Sequence, residues 1–467
     1  MEFFDAFFRG LNWLIGQLWG IPMMVLLIGT GLYLTIITKF FQFRRLGYIL
    51  RNTFGKIFEK ENKTLAGVMT PFQAVSTALA GTVGTANIAG VAAAIAIGGP
   101  GALFWMWIVA LVGMMTKMVE ISLAVHFREV RDDGTVYGGP MFYLSKGLGK
   151  VGKPLAILHA VAVLIGGLVT AALLQPHTAA AALEGSLGIN PTLSAVVFAV
   201  LTGLVIIGGF RAIGKFCERL VPFMAVLYAL GALIIIIINF TAIPHAFGLI
   251  FRYAFAPAPA IGGFAGASFA MALQKGMARG MFSNEAGMGS APMVHATAKT
   301  DHPIRQGLWG TFEVFVDTII LCSLTGLAIL TTGVWDSGLS GINLTIRAFE
   351  VGLPGNVASF LVMTGIVLFA FSTQVGWYVN YQTAVHYLFG DKGVKYLKWI
   401  YLIPGVIFAG QGANAVWLFG DLACGIMGIP NLIGLILLSK VFIELYRDFI
   451  KKEGLDGKHL KAIKGER

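Results

Sequence analysis

The sequence predicts an all-α membrane protein with about eleven transmembrane helices. Three observations carry this: the apolar content, the spacing of the apolar runs and the distribution of charge. Hydrophobic residues make up 57% of the 467, against about 45–50% in soluble domains. Apolar runs near the roughly 20 residues that cross a bilayer recur along the chain, separated by short polar segments. In lipid an unpaired N–H or C=O has no water to bond, so a spanning chain is helical or a closed barrel. Residues 233–240, LIIIIINF, lack the alternation of a barrel strand, which leaves helices. The 60 glycines agree with this reading, because small residues let membrane helices approach closely.

The net charge of +11 is gathered in alternate loops. Lys39, Arg44, Arg45, Arg51, Lys56, Lys60 and Lys63 follow the first apolar run. Later groups are Arg128 to Lys153, Arg211 to Arg219, Lys299 with Arg305, Lys392 to Lys398, and a tail from Lys440 to Lys464. The loops around 98–102, 184–191, 241–262 and 333–355 hold very few Lys or Arg. The positive-inside rule makes the basic loops cytoplasmic, with the N-terminus outside, the C-terminus inside and an odd number of crossings. Such a pattern is one for a bilayer, not for nucleic acid.

The elements follow in order. The N-terminal MEFFDAFFRG is acidic, unlike the basic start of a signal peptide, so a first helix at 19–38 is expected to be retained. With its basic loop it forms an extra segment, 1–66. Five spans at 71–97, 102–127, 154–174, 192–209 and 221–240 make a first set within 67–240. Residues 241–265, rich in Pro and Gly over 254–266, read as an extracellular loop. A second set within 266–439 holds spans at 266–298, 304–332, 356–388, 397–408 and 413–438. Residues 440–467 are a basic cytoplasmic tail.

Two of these spans should be broken. One contains ALAGTVGTANIAGVAAA (78–94), the other KGMARGMFSNEAGMGSAPMVHA (275–296). Glycine weakens a helix, and Ser, Thr and Asn compete for its backbone hydrogen bonds. Unwound backbone is tolerated at that depth only where it lines a cavity enclosed by protein. Glycine alone would equally serve close packing, but Thr82, Thr85 and Asn87 accompany it in one segment, and Ser283, Asn284, Glu285 and Ser290 in the other. Each broken span opens a set of five, entering from opposite sides. That arrangement points to a transporter's central site between two inverted halves. Half-helix N-termini there suit a carboxylate, and released carbonyls suit a cation. No phosphate-binding loop is present to support ATP-driven transport. Cys217, Cys322 and Cys424 lie far apart and indicate neither a disulfide framework nor a metal site.

At these residues the sequence resembles the alanine/glycine:cation symporter family, also called sodium:alanine symporters, within the amino acid–polyamine–organocation superfamily. The likeness covers nearly the whole chain and includes GTVGTANIAGVA (81–92), GGPGALFWMW (98–107), GGPMFYL (138–144), SNEAGMGSAP (283–292), HPIRQG (302–307), FEVFVDTIILC (312–322) and AFSTQVGW (370–377). The resemblance implies a LeuT-like five-plus-five inverted repeat with one extra N-terminal helix, and symport of alanine or glycine. The coupling ion would be Na⁺ or, in some members, H⁺, with no other cofactor and no obligatory protein partner. It implies substrate contacts at Gly84, Thr85, Ala86 and Asn87, at Gln175, at Asn284 and at Trp377. The Na⁺ site it implies uses carbonyls near Ala80 and Val83 with the hydroxyls of Ser372 and Thr373, oxygen ligands of the kind a hard cation prefers. Gln175 and Asn87 can offer donors and acceptors to an ammonium and a carboxylate, and Trp377 can close a small apolar pocket. The expected location is the plasma membrane of a prokaryotic cell.

Departures from the family pattern gather beside this site. Ala86 stands where the family has Gly. Ala172, Pro176 and His177 replace the residues usual around Gln175, and Tyr378 to Gln382 differ after the GW pair. Either the pocket has another shape or neighbouring packing has changed. Among the intramembrane charges, Lys117 precedes Glu120 by one turn, Glu313 and Asp317 share a helical face, and Glu285 lies near His295. These serve as structural pairs or, especially Glu285 with His295, as a proton relay. A membrane enzyme would place a nucleophile with its base, or a metal cluster, at mid-membrane. A channel would show a repeated filter or a ring of charge. Neither pattern is present, so an enzyme is not expected.

Overall fold

The computed structural model describes residues 2–57, 67–257, 268–353, 355, 357–409 and 414–455. Lys60, Lys63, Lys458, Lys461 and Lys464, and residues 258–265 of the expected extracellular loop, lie outside these. Among the described residues the chain is helical apart from its connections and one antiparallel pair of two-residue strands, β1 (Glu129–Val130) and β2 (Val136–Tyr137).

The N-terminal region holds two helices, α1 (Glu2–Leu18) and α2 (Ile21–Ile37), where the sequence suggested one span at 19–38. They form one apolar stretch, Phe8–Ile37. Leu11 and Ile15 turn inward while Trp13 and Leu14 stay exposed, a helical periodicity that the flanking charges mask in a hydropathy reading. Beyond short helices at Phe41–Arg44 and Leu46–Asn52 come the halves of the first broken span, α3 (Pro71–Thr82) and α4 (Val91–Gly98), joined by a π-turn at Ala86–Gly90 and bent by 49°. A capping box fixes where α3 begins: Thr70 Oγ1 accepts the Gln73 N–H, Gln73 Oε1 accepts the Thr70 N–H, and Pro71 follows.

The next helices are α5 (Ala102–His126), α6 (Pro140–Gly147), α7 (Gly149–Gly166), α8 (Leu174–Leu187), α9 (Pro191–Ile207), α10 (Gly209–Ile238) and α11 (Ile243–Phe255). The second broken span is α12 (Phe269–Asn284) and α13 (Ala291–His295). After it come α14 (Pro303–Val314), a π-helical stretch Phe315–Cys322, α15 (Ser323–Thr331), α16 (Gly341–Gly352), α17 (Val357–Leu397), α18 (Ile403–Ile407), α19 (Asn414–Leu437) and α20 (Ser439–Lys452). Outward-facing Ile234, Ile237 and Ile238 on α10 and Val200, Leu204 and Ile207 on α9 are exposed apolar surface of the kind lipid covers.

Helix α5 is buried along nearly its whole length between α12 and α14. Glycines allow that closeness. A Cβ at Gly276 would fall 2.3 Å from the Ala102 carbonyl oxygen, and one at Gly307 would fall 2.4 Å from Ser122 Oγ. One expectation fails: 397–408 is not a continuous span. Gly390, at φ 64°, interrupts α17, and the chain continues as a 3₁₀ turn (Ile400–Leu402) and the short α18. Twelve residues of helix would reach only about 18 Å, too little to cross the roughly 30 Å hydrocarbon layer, and Pro404 and Gly405 favour the broken course.

Candidate functional site between the two breaks

The first break begins where the α3 ladder stops. The Val83 N–H still bonds to the Leu79 carbonyl at 2.7 Å, but the next N–H, of Gly84, is taken by Asn87 Oδ1 at 2.9 Å. The carbonyl of Ala80, four residues back, is thereby released from the ladder. Beside it lies α17. A Cβ at Gly376 would sit 2.9 Å from Ala80 Cβ, and one at Gly84 would sit 2.8 Å from Thr373 Oγ1. The break and Thr373 are therefore neighbours.

At the second break α12 ends at Asn284. Glu285 adopts the left-handed region at φ 53°, followed by Gly287 at φ 96° and Gly289 at φ 79°. Gly289 could not be otherwise, because a Cβ there would fall 2.4 Å from Pro140 Cγ. Protein groups take up the exposed backbone. Lys117 Nζ donates to the Asn284 carbonyl at 2.8 Å, Glu120 Oε1 accepts the Gly287 N–H at 3.0 Å, and Asn431 Nδ2 donates to the Gly287 carbonyl at 2.9 Å. Asn431 also donates to Glu120 and accepts from the Tyr143 hydroxyl.

Two carboxylates tie the breaks to each other. Glu313, fully buried on α14, lies 3.3 Å from Lys117 Nζ and 3.2 Å from His295 Nε2, and Thr82 Oγ1 at the end of α3 donates to it at 3.5 Å. His295 Nδ1 meets Gln306 Nε2 at 2.7 Å. Asp317 accepts from Asn87 Nδ2 at 2.7 Å, Ser283 Oγ at 2.8 Å and Thr318 Oγ1 at 2.7 Å. Each carboxylate thus reaches both broken spans, Glu313 through Thr82 and His295. This corrects two sequence expectations. Lys117 takes Glu313 rather than Glu120 as its ion-pair partner, and His295 pairs with Glu313, not Glu285. The left-handed turn at Glu285 swings its carboxylate toward α17 instead, where Oε1 accepts the Trp377 indole N–H at 3.1 Å and Oε2 accepts the Ser290 hydroxyl.

Between the breaks is a small cavity of about 30 Å³. Gly84, Thr85 and Ala86 line one side, Gln175 and Thr170 another, and Phe282, Glu285, Thr373 and Trp377 are among the other lining residues. Gln175 Nε2 donates to the Thr170 carbonyl at 3.0 Å. Gln175 Oε1 and Thr373 Oγ1 are buried without a hydrogen-bond partner. A larger vestibule of about 1110 Å³ meets this cavity at Thr85, Ala86 and Phe282. It is bordered by Gly185–Leu187 and by Gly341–Asn343, with His177 and Arg279 on its wall.

The structure therefore brings Gly84, Thr85, Ala86, Gln175, Thr373 and Trp377 to one cavity. Ala80, Val83, Asn87, Asn284 and Ser372 lie behind its wall. Asn87 holds the first break to Asp317. Asn284 Nδ2 donates to Thr318 Oγ1 at 3.1 Å, its Oδ1 accepts the Ala286 N–H at 3.0 Å, and Ser372 Oγ donates to the Phe369 carbonyl at 2.9 Å. The lining also includes Thr170, Phe282, Met288 and Cys424, which the sequence reading did not single out as site residues. Of the departures from the family pattern, Ala86 and His177 face space. Pro176 packs on Gly405, and Tyr378 packs with Tyr381 and Tyr401.

The profile of the sodium:alanine symporter family matches residues 4–462. The sodium/alanine symporter AgcS of Methanococcus maripaludis is 42% identical over 441 residues, covering 92% of this chain and 94% of that protein. The probable sodium/glutamine symporter GlnT of Bacillus subtilis is 37% identical over 450 residues, covering 96% and 92%. Among solved structures, MhsT in complex with L-phenylalanine is similar with a TM-score of 0.55 at 14% identity, over 78% of this chain and 88% of that one. That likeness is one of fold.

Proposed function

We propose that this chain, which belongs to the sodium:alanine symporter family, is a secondary transporter that couples Na⁺ entry to uptake of a small neutral amino acid of the alanine and glycine class. The family makes it a transporter and not an enzyme. The finer reading rests chiefly on the small buried cavity between the two breaks, lined by acceptor oxygens and by Trp377. Substrate would bind against Gly84, Thr85 and Ala86, Gln175 and Trp377, with Asn87 and Asn284 shaping the breaks. Na⁺ would sit at the first break, on released carbonyls near Ala80 and Val83 and the hydroxyls of Ser372 and Thr373. The unpartnered Thr373 Oγ1 supports this, since a buried hydroxyl oxygen without a donor can accept a cation.

We read 67–240 and 266–439 as inverted halves that rock around this site, in the plasma membrane of a prokaryotic cell with the C-terminus cytoplasmic. The vestibule opens beside loops poor in Lys and Arg, so the cavity faces outward in this state. A second reading, H⁺ coupling, is favoured by the buried chain Lys117, Glu313, His295 and Gln306. Proteoliposome uptake of a panel of small amino acids separates the two. Replacing Na⁺ by choline at fixed pH should abolish uptake. Uptake that persists in choline on an imposed proton gradient selects the second reading, and a panel with no saturable uptake sinks both.

A further inference from the structure

The cavity presents acceptors and, among its lining residues, no Lys or Arg. Glu285 brings a carboxylate into it from the second break, and Gln175 brings an amide oxygen. The orientation of that amide is settled by its neighbour: Nε2 must donate to the Thr170 carbonyl at 3.0 Å, which leaves Oε1 as an acceptor with no partner. The Glu285 carboxylate is held in place by the Trp377 indole at 3.1 Å and by Ser290. Two donors leave part of its acceptor capacity unused, since an ionised carboxylate offers about four lone-pair sites. A site with a positioned carboxyl group and an orphan amide oxygen suits a cationic donor with several N–H groups. A primary ammonium provides three.

We propose that Glu285 and Gln175 are the acceptors for the ammonium group of the transported molecule, with Glu285 setting the preference for ligands that carry one. This assignment rests on the amino-acid reading above. It also orients the ligand. With the ammonium drawn to Glu285, the carboxylate is left for the first break, where the N–H groups of Thr85 and Ala86 begin the resumed helix and the proposed Na⁺ site lies adjacent. Trp377 acts as a positioning residue, because its indole N–H fixes the Glu285 rotamer while its ring forms part of the wall. The preference is then for a small α-amino acid over the matching α-hydroxy acid, which has the same carbon skeleton and carboxylate without the charge.

The experiment is competition against alanine uptake in proteoliposomes of the full chain, with L-alanine and L-lactate as competitors. In the wild type, lactate should need at least a hundredfold higher concentration than alanine for half-inhibition. Glu285→Gln, nearly isosteric, should raise the alanine KM at least tenfold and bring the two competitors within about threefold of each other. Glu285→Asp should retain the preference with a weaker KM. An E285Q carrier that still transports alanine and keeps the hundredfold preference overturns the proposal. So does a wild type that accepts lactate within threefold of alanine, a result that needs no variant to fold. Wild-type alanine uptake together with either of those outcomes removes this assignment alone, whereas absence of amino-acid uptake in the wild type removes the functional reading beneath it.

Discussion

The two broken helices treat their exposed backbone differently. At the second break, protein charges and amides supply the partners: Lys117 for the Asn284 carbonyl, Glu120 for the Gly287 N–H and Asn431 for the Gly287 carbonyl. At the first, a neutral side chain, Asn87, takes one N–H, and the orphan Thr373 hydroxyl lies beside Gly84. A half-helix C-terminus carries partial negative charge. Where a lysine ammonium already sits on it, a mobile cation has no role, and where only hydroxyls approach it, a cation can complete the shell. The contrast supports the proposal of a transported cation at the first break, the second already holding the Lys117 ammonium.

Breaking the fixed partnership should have the largest effect. Lys117→Met leaves Glu313 as a buried carboxylate without its ammonium, a loss of about 3–5 kcal/mol for a disrupted buried pair. Thermal unfolding in detergent should fall sharply, and transport should be lost. The double variant with Glu313→Leu should recover much of the stability but not transport, since Thr82 and Asn284 are then no longer linked. A single variant as stable as wild type would mean the second break does not depend on its lysine. A far smaller change tests the departures from the family pattern. Ala86→Gly removes a methyl that faces the cavity and should shift the order of amino-acid preference by no more than about tenfold, as one methyl is worth about 1 kcal/mol. His177→Asn, on the vestibule wall, should leave the KM for alanine within twofold. A large KM change there would place recognition in the vestibule as well.

Both breaks were legible in the sequence because their glycines and small polar residues contradict the apolar runs around them. The polytopic helical class was legible because composition alone demands a lipid solvent. Gln175 and Trp377 came through family motifs, and the structure brings them to one cavity. What stayed hidden depends on partners far apart in the chain. Glu285 read as one of several membrane charges until its left-handed backbone turned it toward Trp377, a conformation that a non-glycine residue gives no sign of adopting. The pairing of Lys117 with Glu313 rather than with Glu120, one turn away, needs the crossing of α5 and α14. Thr170 faces the cavity from a π-turn at Gly167–Ala171, whose wider register breaks the helical periodicity that sequence patterns rely on. The interrupted course after Gly390 escaped notice because its apolar residues resemble a short span.

The most direct test of the difference between the breaks is the Na⁺-activation curve of Thr373→Val, which removes the orphan hydroxyl and keeps the side-chain shape. Measured as Na⁺-dependent alanine uptake in proteoliposomes, half-activation should move to at least tenfold higher Na⁺, about 1.4 kcal/mol, with the maximal rate approached again at high Na⁺. An activation curve that superimposes on the wild type would contradict the placement of the transported cation at the first break.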